Sequence, residues 1–206
     1  AAFVAVAGAH MGGKRGLMPA ANSGNPQLKA EKKSAADLFK GFKVKSPLVS
    51  GVVLKERFAD LTFMSIANIK KSSNILSPWA TMGAIASKSK TKSSSNGKPF
   101  SVIKLTDLQG NFLSVFLFGS AFQEHWMESE GTLVTLFDSK VRAEDDGSKS
   151  LSITDGSQLL KVGKAAEFGF CKGTCKDGTP CRMAINVRDC EWCQYHMGEA
   201  LKRLQT

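Results

Sequence analysis

Phe112-Leu113-Ser114-Val115-Phe116-Leu117-Phe118 is a nearly continuous apolar run that stops at Gly119. It has the character of a strand covered on both faces. Downstream, Ser120 to Glu130 places Ala121, Phe122, His125, Trp126 and Met127 at helical spacing, with Ser120 expected as N-cap and Gln123 at the capping-box position. Gly131 to Phe137 reads as the next strand, Asp145-Asp146-Gly147 as a turn, and Leu151-Ser152-Ile153 as the start of a further strand. Upstream, Pro99 to Leu105 alternates in polarity. The Ser/Lys loop before it, Lys88 to Lys98, closes on Asn96-Gly97, a strong hairpin turn. Trp79 to Ser87 is another apolar, lightly polar run. The order is therefore strand, strand, strand, short helix, strand, strand. A helix between the third and fourth strands of a five-stranded unit is the signature of an OB-fold, a Greek-key barrel. On pattern alone an SH3-like barrel or another small β-fold competes.

The chain has 206 residues, 42% of them apolar and 22% charged, which excludes a wholly disordered, collagenous or coiled-coil chain. That length suits one or two domains. No apolar run reaches the ~18–20 residues of a membrane span. Ala1 to Ala9 is short and lacks a positive start, so it does not read as a signal peptide. Residues 1–37, rich in Ala, Gly, Ser, Asn and Lys, read as a disordered, tag-like linker. Residues 38–78 form a lead-in to the OB-fold. Within it Val53, Leu54, Phe58, Leu61, Met64 and Ile69 fall mostly three and four apart, which predicts an amphipathic helix or helical turns with Ser50 as N-cap. The OB-fold is expected over 79–160, and a separate small unit over 161–206.

The net charge is +10, unevenly placed: residues 1–99 carry 16 Lys and Arg against 4 acids, and residues 100–206 carry 12 against 14. A basic balance favours a polyanionic partner, nucleic acid or an anionic membrane. The basic tail, 8 bases against 2 acids over residues 1–45, explains more than half the excess.

All five cysteines, Cys171, Cys175, Cys181, Cys190 and Cys193, lie within 23 residues, and His196 follows Cys193 with two residues between. An odd count and no visible secretory signal disfavour a disulfide framework. Zinc takes four tetrahedral ligands from thiolate and imidazole. Cys193 and His196 form one tight pair, and Cys171 and Cys181 bracket a turn over Lys176 to Pro180. Cys190 and Cys193 with Cys171 and Cys175 is the all-cysteine rival. Glu191 is the local candidate for a general acid or base beside a catalytic zinc, and it reads rather as a solvated surface residue. So small a segment cannot hold a core without metal, so the zinc is read as structural.

The spacing Cys171-x9-Cys181-x11-Cys193-x2-His196, ending in Asp189-Cys190-Glu191-Trp192-Cys193-Gln194-Tyr195-His196, closely resembles the zinc finger of the minichromosome maintenance protein ten family. Ser114-Val115-Phe116-Leu117-Phe118-Gly119 resembles that family's third OB strand. Trp126 with Glu130-Gly131-Thr132 resembles its next turn, and Lys45-Ser46-Pro47-Leu48-Val49-Ser50 the lead-in to its internal domain. The resemblance runs from about Leu38 to the end. It implies a mainly β architecture, an OB barrel packed on a CCCH finger, with one structural zinc held by Cys171, Cys181, Cys193 and His196 and with Cys175 and Cys190 free. It further implies a nuclear, non-enzymatic scaffold of the replication fork. Such a scaffold binds DNA with a preference for single strands and touches the replicative helicase, the priming DNA polymerase and the sliding clamp. Where family members tend to carry a lysine run, this chain has Thr174-Cys175-Lys176, which thins the finger's basic surface.

Single-strand binding needs cations for phosphates and aromatic faces for bases. The barrel candidates are Lys88, Lys90 and Lys92 in the first hairpin loop, Lys98 at its end, Lys104 on strand two, and Phe100 and Phe116 on strands two and three. In the finger they are Lys172, Lys176 and Arg182. For each ring the competing reading is core packing, and for each lysine a solvated loop charge; the set carries more weight than its members. Trp192 and Tyr195 read as packing around the zinc, and His125 as a packing residue. The phosphate-loop, dinucleotide, nucleophile-elbow and His-Glu-x-x-His signatures are absent from the sequence. A docking module that takes partner peptides with little DNA affinity is the alternative. No small-molecule substrate and no membrane partner are expected.

Overall fold

A computed structural model describes residues 41–204 except 73, 74, 76 and 77. The linker expected over residues 1–37 lies outside the described residues. In chain order the elements are β1 (Val44–Lys45), α1 (Gly51–Phe58), β2 (Thr62–Phe63), α2 (Ile66–Lys71), β3 (Trp79–Lys88), β4 (Lys92–Ser93), β5 (Pro99–Thr106), β6 (Phe112–Leu117), α3 (Gly119–His125), β7 (Thr132–Phe137), β8 (Lys140–Ala143), β9 (Lys149–Ile153), a 3-10 turn at Gly156–Gln158, β10 (Leu159–Ala165), β11 (Phe168–Phe170), β12 (Ala184–Asn186) and α4 (Gln194–Leu204). The chain is mainly β and has the OB-fold order.

The main sheet runs β1-β10-β7-β3-β5-β6-β9-β8, with all neighbours antiparallel except β6 and β9, which run parallel. Alternation of side chains puts Ile103 and Leu105 of β5, Leu113, Val115 and Leu117 of β6, and Leu151 and Ile153 of β9 into one core. That core also takes Ile66 and Ile69 of α2, Trp79 and Ala121. A second cluster lies where α1 places Leu54 and Phe58 against Ala80, Met82, Leu133 and Val162. β3 is therefore buried on both sides along most of its length. The lead-in covers the outer surface of the β10-β7-β3 half, whereas on the outer surface of β5 and β6 Phe100, Val102, Phe112, Ser114 and Phe116 are half-buried and Lys104 is exposed.

Three local expectations change in the fold. The apolar spacing over 50–69 predicts an amphipathic helix or helical turns, and the chain forms two short helices with β2 between them. Ser50 and Ser65 each accept a hydrogen bond at their helix N-termini, from Val53 N–H and Asn68 N–H. The break occurs because Thr62 and Met64 donate to the Pro78 and Ala80 carbonyls, pairing this segment with β3. β6 is covered on one face only: Leu113, Val115 and Leu117 are buried, while Phe112, Ser114 and Phe116 are half-buried. Ser120 does not cap α3. The helix starts at Gly119, its cap is Phe118 without a side-chain bond, and Ser120 Oγ accepts from Gly156 N–H at 3.0 Å. Gly119 has φ +54°, and a Cβ there would lie 2.8 Å from the Thr154 carbonyl oxygen, so glycine is required. The capping box belongs to Asp155 and Gln158 of the 3-10 turn. His125 is buried against that turn, its Nε2 3.0 Å from the Gly156 carbonyl, in the packing role expected of it.

Candidate metal centre and nucleic-acid interface

β11 and β12 form a separate two-stranded sheet, and between them residues 171–181 make a hairpin closed by a Thr174–Pro180 bridge. Cys175 N–H donates to the Thr179 carbonyl at 2.8 Å across the tip, which is the turn expected over Lys176 to Pro180. This returns Cys181 beside Cys171. Cys193 immediately precedes α4, whose first turn carries His196. The Sγ atoms of Cys171, Cys181 and Cys193 and a ring nitrogen of His196 lie within 4.8 Å of one another. For comparison, zinc–sulfur bonds of about 2.3 Å place tetrahedral ligands about 3.8 Å apart. Cys175 is exposed, and Cys190 Sγ accepts from Trp192 N–H at 3.3 Å; neither joins the group.

The surroundings prepare this donor set. His196 Nε2 donates to the Thr174 carbonyl at 3.0 Å, which leaves the Nδ1 lone pair toward the sulfurs of Cys171 and Cys193, each 3.3 Å away. Gly173 N–H and Cys193 N–H both point at Cys171 Sγ, at 3.3 and 3.2 Å. Burial pushes the Cys171 thiol up, but these N–H groups and its Cys193 and His196 neighbours outweigh it and bring the thiol down to about 7. Burial also pushes the Cys181 thiol up, and the neighbouring sulfurs of Cys171 and Cys193 add to this, to about 11. Three sulfurs within 4.8 Å of one another repel when ionised, so all three become thiolates only with a cation among them. The donor set fits one structural zinc with four protein ligands and no open position.

Gly173 is part of the fit. A Cβ there would lie 2.4 Å from Cγ and Nδ1 of the His196 ring. Gly173→Ala is therefore expected to displace the imidazole and to weaken zinc binding by about 10- to 100-fold, the effect typical of disturbing a group that orients a ligand. Competition against a chromophoric chelator measures this; unchanged affinity would show that the ring has room to move.

The outer surface of β5 and β6 presents a second site. On β5 the outward positions are Phe100, Val102 and Lys104, and on β6 they are Phe112, Ser114 and Phe116, followed by Phe118. The Phe100 ring lies 5.3 Å from Phe118 and 6.2 Å from Phe116, and Phe116 and Phe118 are nearly parallel at 6°. Lys104 Nζ sits 5.5 Å over the Phe112 ring, and the Arg142 guanidinium from β8 sits 4.7 Å over Phe116. The fold thus brings Phe100, Phe116 and Lys104 together. Lys88, exposed at the end of β3, pairs with the core-facing Ile103 while Ser87 pairs with Lys104, so register does not put Lys88 on the Lys104 face; Lys90, Lys92 and Lys98 lie exposed in or beside the adjoining hairpin. The finger cations are separate from this face: Lys172 pairs with Glu191, Arg182 with Glu130 at 3.2 Å and over the Phe170 ring, and Lys176 stands exposed at the hairpin tip.

Phe118, Arg142 and Lys140, which lies across from Ser152 and so in line with Phe116, join this face without having been expected there. Phe118 was legible, since it stands two residues after Phe116 in the same apolar run. Lys140 and Arg142 were not, because β8 is four residues long and has no apolar alternation. Trp192 and Tyr195 contact the edge of His196 as expected, yet both remain about half exposed, at 45% and 54%.

Comparison with known proteins agrees with both units. The MCM10 OB-fold family model matches residues 38–160, and the primase zinc finger model matches residues 163–206. The human protein MCM10 homolog is 33% identical over 178 residues, covering 82% of this chain and 20% of that protein. The Drosophila melanogaster homolog is 30% identical over 165 residues, 76% of this chain and 21% of its own. The DNA replication licensing factor mcm10 of Schizosaccharomyces pombe is 33% identical over 129 residues, 61% of this chain and 22% of its own. This chain therefore spans about a fifth of the length of these relatives. An OB-fold matched from its lead-in to residue 160, followed directly by the matched finger, places the chain in the MCM10 (minichromosome maintenance protein ten) family.

Proposed function

We propose that the chain is a non-enzymatic, nuclear DNA-binding module of the replication machinery that prefers single strands. In this reading an OB unit over 79–160, behind the 38–78 lead-in, is joined to a finger over 161–206 held by zinc on Cys171, Cys181, Cys193 and His196. The observation that carries it is the outer β5-β6 surface, where half-buried phenylalanines stand beside the exposed Lys104 and the half-buried Arg142. Stacking on aromatic faces and contact of cations with phosphates are the two interactions that hold unpaired strands without reading their sequence. Phe100 and Phe116 supply rings; Lys88, Lys90, Lys98 and Lys104 supply charge; Lys176 adds an exposed charge on the finger, where Lys172 and Arg182 would have to exchange Glu191 and Glu130 for phosphate. The family supports a place at the replication fork, beside the replicative helicase, the priming DNA polymerase and the sliding clamp.

Titration of labelled single- and double-stranded oligonucleotides at two salt concentrations tests this. The single strand binds more tightly, and affinity falls steeply with salt. Lys88→Ala with Lys104→Ala lowers affinity and flattens the log–log salt slope by about 0.7 for each phosphate no longer neutralised, with an unchanged melt. Normal binding by the folded double variant would reject that patch.

One observation favours a second reading, peptide docking. A groove of about 400 Å3 lies between the β5–β6 turn and the finger, lined by Leu108, Phe112, Met183, Trp192, Tyr195 and Met197 among others. Absence of any oligonucleotide complex at low salt would leave docking as the function of the module.

A further inference from the structure

Arg142 differs from every other cation named above. It is half-buried, its guanidinium lies over an aromatic ring, and it forms no ion pair among the described residues. By contrast Lys172 and Arg182 are matched to Glu191 and Glu130. An arginine with a fixed plane and an unmatched charge is prepared for an anion, and phosphate is the anion its forked donors suit best. Register shows what lies beside it. Across the sheet Arg142 of β8 faces Ser150 of β9, Ser150 faces Ser114 of β6, and Ser114 faces Lys104 of β5. Two cations therefore stand about 14 Å apart at three strand spacings, with Ser114 half-buried and Ser150 buried between them. Ser150 Oγ donates to the Glu144 carboxylate, so that serine is not open to a ligand and the phosphate contact falls to Arg142 on one side and Lys104 on the other.

The same stacking changes the role of Phe116. One face of that ring is taken by the guanidinium, so it is not open to a base there. Phe100 and Phe118 touch each other at 5.3 Å and carry no cation among the described residues. We propose that Arg142 is a phosphate-contacting residue for a single-stranded polynucleotide, that Phe116 is the positioning residue holding its guanidinium in place, and that the bases stack on the Phe100–Phe118 pair. This deepens the single-strand reading given above and rests on it.

The test is a double-mutant cycle read in salt titrations of the full chain with a labelled oligothymidylate. Arg142→Ala weakens binding at low salt by about 3- to 10-fold and flattens the log–log slope by about 0.7. Arg142→Lys keeps the slope of the unsubstituted chain, because the charge remains, but loses affinity with the planar fork. Phe116→Leu, which removes no charge, weakens binding in the unsubstituted chain and has little further effect once Arg142 is alanine. Phe100→Leu costs the same in both backgrounds and leaves the slope alone. If the unsubstituted chain binds but Arg142→Ala keeps its slope, or if the Phe116 and Arg142 effects simply add, this inference falls and the single-strand reading stands. If the unsubstituted chain binds no oligonucleotide at low salt, both fall. Thermal melts of each variant distinguish a weakened interface from a weakened fold.

Discussion

Cys181→Ser is expected to yield a chain without zinc, in which residues 163–206 have lost their fold and the OB-fold still melts cooperatively. The size of the effect follows from what else could hold the finger. From residue 163 onward the buried apolar residues are Ala165, Cys171, Ala184 and Cys193 among the described residues, and α4 buries none. Two of those four are the candidate ligands themselves. Two alanines offer roughly 1 kcal/mol of transfer energy each, against an apparent zinc affinity of about 10–16 kcal/mol in such fingers at neutral pH. Metal is therefore the dominant stabilising term, and removing one of four ligands removes most of it. The backbone bonds from Gly173 and Cys193 to Cys171 Sγ would then have no ordered partner geometry to preserve. Cys175→Ser is the matched control: Cys175 is exposed at the hairpin tip, and its replacement should leave one zinc per chain. Metal content by mass spectrometry with hydrogen exchange over 163–206 reads both variants. Zinc lost in Cys175→Ser and kept in Cys181→Ser would invert the ligand assignment.

A fall of about 10- to 100-fold in single-strand affinity is expected when Phe100 and Phe118 are both replaced by leucine. Stacking of one base on an aromatic side chain contributes about 1–3 kcal/mol, and every 1.4 kcal/mol is tenfold in affinity. The rings touch at 5.3 Å, so they share a base and their effects should be less than additive. Leucine keeps most of the apolar volume that packs beside Phe116 while removing the π face. The salt slope should not change, since no charge is removed. This pattern is opposite to that of Lys88→Ala with Lys104→Ala, where the slope falls. A slope that falls with the phenylalanines, or affinity unchanged in a folded double variant, would remove the rings from the interface.

The OB strands were legible because each is specified by its own few residues. Pro99 to Thr106 alternates in polarity along its length, and Asn96-Gly97 forces the turn before it. Phe112 to Phe118 also declared itself a strand, although its exposed side was hidden by phenylalanines that look apolar whichever way they face. The lead-in misled where a three-and-four spacing extended across Thr62-Phe63, because hydrogen bonds to β3, which local spacing does not encode, pulled that segment out of helix. β8, β10 and the finger's sheet and helix had no such local signal and went unread. β8 in particular is a short polar segment that becomes a strand only by pairing with β9.

The number and kind of zinc-competent side chains was a property of the sequence alone, since six candidate ligands within 26 residues need no fold to be noticed. Their selection was tertiary: the hairpin closed by Thr174 and Pro180 and the start of α4 bring four donor atoms within 4.8 Å and leave Cys175 and Cys190 outside. Likewise the presence of phenylalanine and lysine on strands two and three was written in local alternation. The placing of Arg142 over Phe116 required the parallel pairing of β6 with β9, which joins segments more than thirty residues apart. Spacing along a chain sets which way neighbouring side chains point; which distant side chains then meet depends on how the sheet pairs, and that is settled only when the whole core is buried.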